Sequence, residues 1–295
     1  MKLFDEGALF YKGNTHMHTT LSDGRLSPQE AALLYRQSGY HFVFLTDHRM
    51  ASLPSECEGM LVLSGTELDV TLPDQCVHIV GLGVDAEQIN AMQLKGRNDL
   101  CAQQLIDVIR DAGGRAILAH PAWSLNTVEL MQSLQGLTAA EVYNTFSGEP
   151  WNAERADSSH ILDVLSAQGT SLNLVASDDS HRYNGEACRS YIMVQARTLS
   201  QEDILEALDR GAFYASQGPS FEQIERIGDT IRVRCSPVER ITFCSAQPWS
   251  SGRCHSGHGM MQAEHKLHPA GEPYVRVVLT DMYGRRAWSN PIRTN

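Results

Sequence analysis

Along residues 1–215, short runs rich in β-branched and aromatic residues alternate with longer stretches of helical periodicity, the pattern expected of βα units on a mainly parallel sheet. Ser27-Pro28-Gln29-Glu30 joins a capping box to a proline at the first helical position. Ala31, Leu33, Leu34 and Tyr35 then supply an apolar side until Gly39 stops the helix. His41-Phe42-Val43-Phe44-Leu45-Thr46 reads as a buried strand, and Leu61-Val62-Leu63 and Val77-His78-Ile79-Val80 as further short strands. A helix from about Asn98 to Ala112, stopped by Gly113-Gly114, leads to the strand Arg115-Ala116-Ile117-Leu118. The strand Ala140-Glu141-Val142-Tyr143, a helix from about Ala153 to Gln168, the strand Ser171 to Ala176 and a helix from Gln201 to Asp209 continue the alternation.

Near Ser216-Gln217-Gly218-Pro219 the helical periodicity ends. Ile231-Arg232-Val233-Arg234, Ile241-Thr242-Phe243 and Tyr274-Val275-Arg276-Val277-Val278-Leu279 are runs of strand type. The division expected is an α/β domain over residues 1–217 and a small antiparallel β domain over 218–295. A unit of that size barely stabilises itself and is expected to pack on the first.

Composition narrows the function classes. The 295 residues are 42% hydrophobic and 20% charged, as in globular proteins, and 24 Lys and Arg against 35 Asp and Glu give a net charge of −11. So acidic a chain lacks the footprint of a stable nucleic-acid or anionic-membrane binder. Asp5 and Glu6 stand where a signal peptide is apolar, and no run approaches the roughly 20 apolar residues of a membrane helix, so a cytoplasmic protein is expected. The 7 cysteines contain no C-x-x-C pair, which argues against a disulfide framework and reads most of them as buried small hydrophobes. No Gly-rich phosphate loop and no G-x-S-x-G elbow is present.

The 12 histidines change the picture through their positions. His16-Met17-His18 ends the first short strand with Asp23 close behind, His48 follows Leu45-Thr46-Asp47, and Glu67 follows Leu63-Ser64-Gly65-Thr66. His120 closes Ile117-Leu118-Ala119, Asp179-Ser180-His181 follows Val175-Ala176-Ser177-Asp178, and His78 lies within or at the start of its own strand. Sheets of βα units place functional groups at strand C-termini. A single H-x-H pair has a chance expectation of about 0.45 here and proves little. Six imidazoles and three carboxylates at successive strand ends are costly to gather without cations. Nitrogen and oxygen ligands without thiolate favour Zn, Mn or Fe, and nine ligands fit two to three divalent ions with Glu67 bridging.

These motifs resemble a known family. His16-Met17-His18-Thr19-Thr20-Leu21-Ser22-Asp23-Gly24, Leu45-Thr46-Asp47-His48, Gly65-Thr66-Glu67, His78-Ile79-Val80-Gly81, Ala119-His120-Pro121 and Ser177-Asp178-Asp179-Ser180-His181 are similar, in order and spacing over residues 10 to 215, to those of the PHP (polymerase and histidinol phosphatase) domain. The resemblance implies a distorted (β/α)7 barrel and a trinuclear site. It implies one metal on His16, His18, Glu67 and Asp179, a second on Glu67, His78 and His120, and a third on Asp23, His48 and His181. Tyr214-Ala215-Ser216-Gln217-Gly218-Pro219 and Tyr283-Gly284-Arg285-Arg286-Ala287-Trp288-Ser289-Asn290-Pro291-Ile292 are similar to the stand-alone CehA/McbA-like branch, with a β-sandwich appendage. No polymerase segment follows, so a polymerase role is not expected.

The activity expected is phosphomonoester or phosphodiester hydrolysis by a metal-bound hydroxide. The alternative is cleavage of amide, carbamate or carboxyl ester bonds, and a catalytically silent metal-binding module comes last because the ligand set is complete. His48 or His181 can assist proton transfer, Arg182 and Arg189 are candidates to grip phosphate, and Asn144 to donate to substrate. The partner expected is a small phosphorylated substrate such as a nucleotide or short oligonucleotide, and the oligomeric state is left open. Trp123 and Trp151 read as packing aromatics. Cys244, Cys254, His255, His258, His265 and His268 match no zinc finger, and the glycines among them suggest a loop with solvated histidines.

Overall fold

Ser27 forms the capping box that its sequence spells: its hydroxyl accepts from the Glu30 N–H, and the Glu30 carboxylate accepts from the Ser27 N–H at 2.8 Å. The computed structural model describes residues 2–4, 9–94, 100–249 and 251–294. Its elements are β1 (Phe10–Asn14), α1 (Pro28–Gln37), β2 (Phe42–Leu45), β3 (Ser55–Cys57), β4 (Met60–Thr71), β5 (Cys76–Leu82), α2 (Ala86–Ala91), α3 (Ala102–Asp111), β6 (Arg115–Leu118), α4 (Val128–Ser133), β7 (Leu137–Asn144), α5 (Ser159–Ala167), β8 (Asn173–Ser177), β9 (Tyr191–Gln195), α6 (Gln201–Arg210) and β10 (Phe213–Ser216). Strands alone follow: β11 (Phe221–Ile227), β12 (Thr230–Ser245), β13 (Cys254–Lys266), β14 (Tyr274–Thr280), β15 (Arg286–Ser289) and β16 (Ile292–Arg293).

The described strands form one 16-stranded sheet whose main path runs β11-β12-β14-β15-β10-β9-β1-β2-β4-β5-β6-β7-β8. The fold is mixed α/β, as expected. The expected distorted (β/α)7 barrel is not confirmed: the path of described strands is open, with β8 and β11 at its ends. Among the described strands, parallel pairing joins β1–β2, β2–β4, β6–β7 and β7–β8, and isolated parallel bridges link Met17 to Ser180 and His48 to Glu67. Between these groups β5 is antiparallel to both β4 and β6, and β9 is antiparallel to β1. Residues 72–75 join β4 to β5, too short a link for the crossover that a parallel neighbour needs.

One core, including Ile79, Ile109, Leu118 and Leu165, lies between the sheet and helices α3 to α5; a second, with Phe42, Phe44, Val80, Val175 and Phe213, is shared with α6. Trp288 from β15 is fully buried in the first of these and stacks on Tyr143 of β7. β10 pairs with β9 on one side and β15 on the other, so the ladder is continuous across residues 217 and 218. Arg276 of β14 reaches Asp163 of α5 through Nε at 2.7 Å and Nη2 at 2.5 Å.

Several boundaries depart from the periodicity. The helix expected from Ala153 starts only at Ser159, where Asp157 Oδ1 accepts from the Ser159 N–H at 2.8 Å. α3 starts at Ala102; Asn98, the expected start of that helix, lies outside the described residues. The separate runs at 231–234 and 241–243 are one strand, β12, and the expected loop among the C-terminal histidines is strand β13. Of the seven unpaired cysteines only Cys235 is buried, which corrects the expectation for most of them. Among the described residues no helix is long and apolar enough to cross a membrane.

Candidate metal centre

The nine candidate ligands converge, but not all from strand ends. His16 and His18 follow β1, with Asp23 in the next turn; His48 follows β2, His120 follows β6, and Asp179 and His181 follow β8. Glu67 instead lies inside β4, just beyond the switch of that strand from pairing β2 through Ser64 to pairing β5 from Gly65. His78 lies inside β5, opposite Asp69. The hairpin therefore supplies two ligands that a pure βα barrel would take from loops.

Glu67 is the hub. Its Oε2 lies 3.5 Å from His16 Nε2, 3.2 Å from His18 Nε2 and 3.1 Å from His48 Nδ1, and its Oε1 lies 2.7 Å from His78 Nδ1 and 3.5 Å from His120 Nε2. Asp179 Oδ1 is 3.2 Å from both His16 Nε2 and His18 Nε2. At the mouth, Asp23 Oδ1 lies 3.5 Å from His181 Nε2 and 3.6 Å from His18 Nδ1, and its Oδ2 lies 3.8 Å from His48 Nε2. Three groups have the spacing to hold a cation: His16, His18 and Glu67; Glu67, His78 and His120; and His18, Asp23, His48 and His181. His18 stands in two of them through its two ring nitrogens.

The donor set fits divalent ions on more than spacing. Asp179 Oδ1 and His48 Nδ1 are buried with polar neighbours at 3.1–3.2 Å but without an aligned hydrogen bond, an arrangement that a bound cation between them would complete. Two of the imidazoles have their outer ring nitrogen already committed. His120 Nδ1 meets Ser124 Oγ at 2.8 Å and His181 Nδ1 meets the Asp179 carbonyl at 2.8 Å, each leaving Nε2 toward the centre. His120 and Asp179 both have left-handed backbones, with φ of 31° and 52°. Strain of about 1–3 kcal/mol per residue is tolerated where the surroundings over-determine it, and such residues cluster at functional sites.

The electrostatics are those of a site built around positive charge. Burial disfavours charge on His16, His18 and His78, yet the neighbouring carboxylates prevail: His16 is raised well above its ordinary value, His18 to about 9 and His78 to about 10. Burial likewise pushes Glu67 and Asp179 up, and the surrounding imidazoles overcome it and hold both well below the usual carboxylate range. His48 differs: burial lowers it, and Glu67 only partly compensates.

A cavity of about 160 Å³ opens on this centre, bordered by Trp123, Phe146, Ser147 and Asn152 and by every candidate ligand except His16 and His18. Trp123 meets His78 and His120 edge to face, so it walls the site rather than only packing. Phe146 stacks on His181 at 4.5 Å and Trp151 on Phe146 at 6.2 Å. Neither candidate arginine lines this cavity. Arg182 is exposed with its guanidinium 5.2 Å over Trp151, and Arg189 borders a neighbouring 380 Å³ cavity.

Asn144 does not line the cavity either. It is fully buried, and its Nδ2 donates to Glu141 Oε2 at 2.7 Å and Asp179 Oδ2 at 3.2 Å while Oδ1 accepts from the Ser147 N–H, so it orients the site instead of facing substrate. Two supporting acids were not among the candidates. Asp47 accepts from the Thr19 N–H, the Thr19 hydroxyl and the Ser22 hydroxyl and so shapes the turn before Asp23. Glu141 accepts from His16 Nδ1 at 2.8 Å; a lone acid in the apolar run 139–142 was the signal for it. The C-terminal histidines gather no cation-binding group among the described residues: His265 pairs with Glu272 and His258 with Glu239.

No family model matches the chain. Over nearly its whole length it is similar to a solved two-domain protein from Bacteroides vulgatus containing a predicted PHP-like metal-dependent phosphoesterase: 14% identity, 98% of this chain and 97% of that one, TM-score 0.55. The DNA polymerase/3′-5′ exonuclease PolX of Bacillus subtilis is 22% identical over 201 residues, 58% of this chain and 34% of the relative, so the match spans about a third of that protein. An amidohydrolase from Chromobacterium violaceum, with sulfate and no metal bound, covers 59% of this chain and 89% of its own at 17% identity and a TM-score of 0.42, too partial a likeness to bear on chemistry. Along almost its entire length the chain has the fold of a two-domain protein that carries a PHP-like domain, the family that its own motifs resemble.

Proposed function

We propose that the chain is a metal-dependent hydrolase acting on phosphoric esters, with two to three divalent ions of zinc, manganese or iron. The observation that carries this reading is Glu67, one buried carboxylate within 3.5 Å of five imidazoles and common to two of the three ligand groups. When bound, the ions would supply Lewis acidity and activate water near neutral pH. The chain's own residues hold and orient. Trp123 and Phe146 restrict entry and exclude water, and Ser147 and Asn152 offer polar groups to a substrate oxygen. His48 and His181, each about 15% exposed at the mouth, flank Asp23 with their Nε2 atoms and would be the side chains to move a proton to a leaving group when the Asp23 group holds no ion. Residues 218–295 would form an accessory unit, and a nucleotide or short oligonucleotide in the cytoplasm would be the substrate.

One observation favours the second reading, hydrolysis of amide, carbamate or carboxyl ester bonds as in the CehA/McbA-like branch: among the described residues no arginine or lysine borders the cavity, so the charge of a phosphate would be met by the ions. The test is a substrate panel on manganese- or zinc-loaded protein, comparing aryl phosphate mono- and diesters and nucleotides with aryl esters, amides and carbamates. Phosphate release supports the proposal. Turnover confined to the carbonyl substrates replaces it with the second reading.

A further inference from the structure

Glu141, in the middle of β7, is buried to 1% exposure and receives four hydrogen bonds. His16 Nδ1 meets Oε1 at 2.8 Å and the Ser177 hydroxyl donates to the same oxygen; the His120 N–H donates to Oε2 at 2.8 Å and Asn144 Nδ2 at 2.7 Å. An ionised carboxylate has about four lone-pair sites and no donor, so its capacity is filled. The donors come from four places in the sheet: beyond β1, beyond β6, the end of β7 and the end of β8.

We propose that Glu141 is a positioning residue of the metal centre that selects which nitrogen of His16 faces the ion. This rests on the metal-centre reading above. Because Glu141 only accepts, one His16 hydrogen stays on Nδ1, and it is the Nε2 position, facing His18 Nε2, Asp179 Oδ1 and Glu67 Oε2, that gives up its proton to a bound ion. The same carboxylate anchors the His120 backbone in its left-handed conformation. Through Asn144, whose Nδ2 lies 3.2 Å from Asp179 Oδ2, it also sets the orientation of Asp179. Glutamine cannot serve in its place: with its NH2 toward the His120 N–H and Asn144 Nδ2 it faces two donors, and turned the other way it favours the His16 tautomer whose hydrogen is on Nε2, toward the ion.

The test compares Glu141→Gln with the intact protein by zinc titration against a chromophoric chelator. The expected result is an affinity about ten- to hundredfold weaker for the ion of the His16 group, with the ion of the Asp23, His48 and His181 group retained. Unchanged affinity at every site overturns the proposal while leaving the metal centre standing, and intact protein that takes up no zinc overturns both. Should the variant not fold, nitrogen-15 NMR of His16 in the zinc-loaded intact protein decides: a protonated Nδ1 with a metal-shifted Nε2 is expected, and the reverse assignment overturns the proposal.

Discussion

His16 Nε2 and His18 Nε2 face each other across 3.2 Å, with Asp179 Oδ1 3.2 Å from each. Two imidazole nitrogens can hold that separation only with a proton or a cation to share, and the alternation of residues 16 and 18 around Met17 aims both rings at one point. Replacing His16 or Asp179 by alanine removes one side of that point. Metal analysis of either variant is expected to show about one ion fewer per chain, hydrolysis is expected to fall to background, and the far-ultraviolet circular dichroism should stay near that of the intact protein. Undiminished turnover in a variant of verified metal content would refute the assignment of these ligands.

The pH dependence follows from the raised imidazoles. Burial works against charge on His18 and His78, but Asp179 and Glu67 hold them at about 9 and about 10, above the ordinary 6.5. In metal-free protein both are charged at pH 7. Their contribution to stability is complete below pH 6.5 and is lost as pH rises through 9 and 10. The melting temperature of metal-free protein should therefore decline over that window. Ions must displace these protons and that of His16, likewise held well above its ordinary value, so loading at pH 7 should release about three protons and affinity should rise with pH. Calorimetry in buffers of different ionisation enthalpy checks this, and loading without proton release would contradict it.

Gly24 supplies a prediction of a different kind. A Cβ there would lie 2.2 Å from the His18 carbonyl oxygen and 2.4 Å from its carbonyl carbon, a backbone obstacle that no rotamer relieves. Gly24→Ala should displace the turn that carries Asp23, cost about 1–3 kcal/mol and reduce occupancy of the group that contains Asp23, His48 and His181. Metal titration together with a thermal melt would show it; wild-type values in both would mean that the turn is freer than its geometry indicates.

Much of the centre was legible because its ligands punctuate apolar runs: His120 interrupts Ile117-Leu118-Ala119 before Pro121, and Asp179 and His181 end Leu174-Val175-Ala176. Glu67 was legible as a ligand but not as part of a strand. Ser64-Gly65-Thr66 reads as a strand end, yet Ser64 and Thr66 are buried and β4 runs on through them to Thr71. Glu141 looked like one more residue of a buried strand, since the partners that justify its charge come from positions up to 125 residues away. Between the two short runs that together form β12 stands Pro237. It is accommodated where the register with β13 shifts between Arg234 and Val238, a place where a strand tolerates the missing N–H. Whether the sheet closes depends on pairings between distant strands, which no local pattern encodes.

The C-terminal strands are tied to the helix-bearing half by Arg276, whose side chain is 4% exposed and whose two bonds to Asp163 form a fork. Arg276→Ala leaves that carboxylate without its partner. Because Asp163 remains 29% exposed, the expected loss is about 2–3 kcal/mol, below the range for a fully buried pair. Chemical denaturation measures the loss, and metal content should not change. A variant as stable as the parent would show that the fork contributes little to holding these strands in place.

The most direct measurement is the metal content of freshly purified protein by mass spectrometry, with competition against a chelator to rank the ions. Two to three divalent ions per chain, with His16→Ala lacking one, is the result expected of a centre organised on Glu67. Protein that carries no ion, and takes up none from excess manganese or zinc, would contradict it.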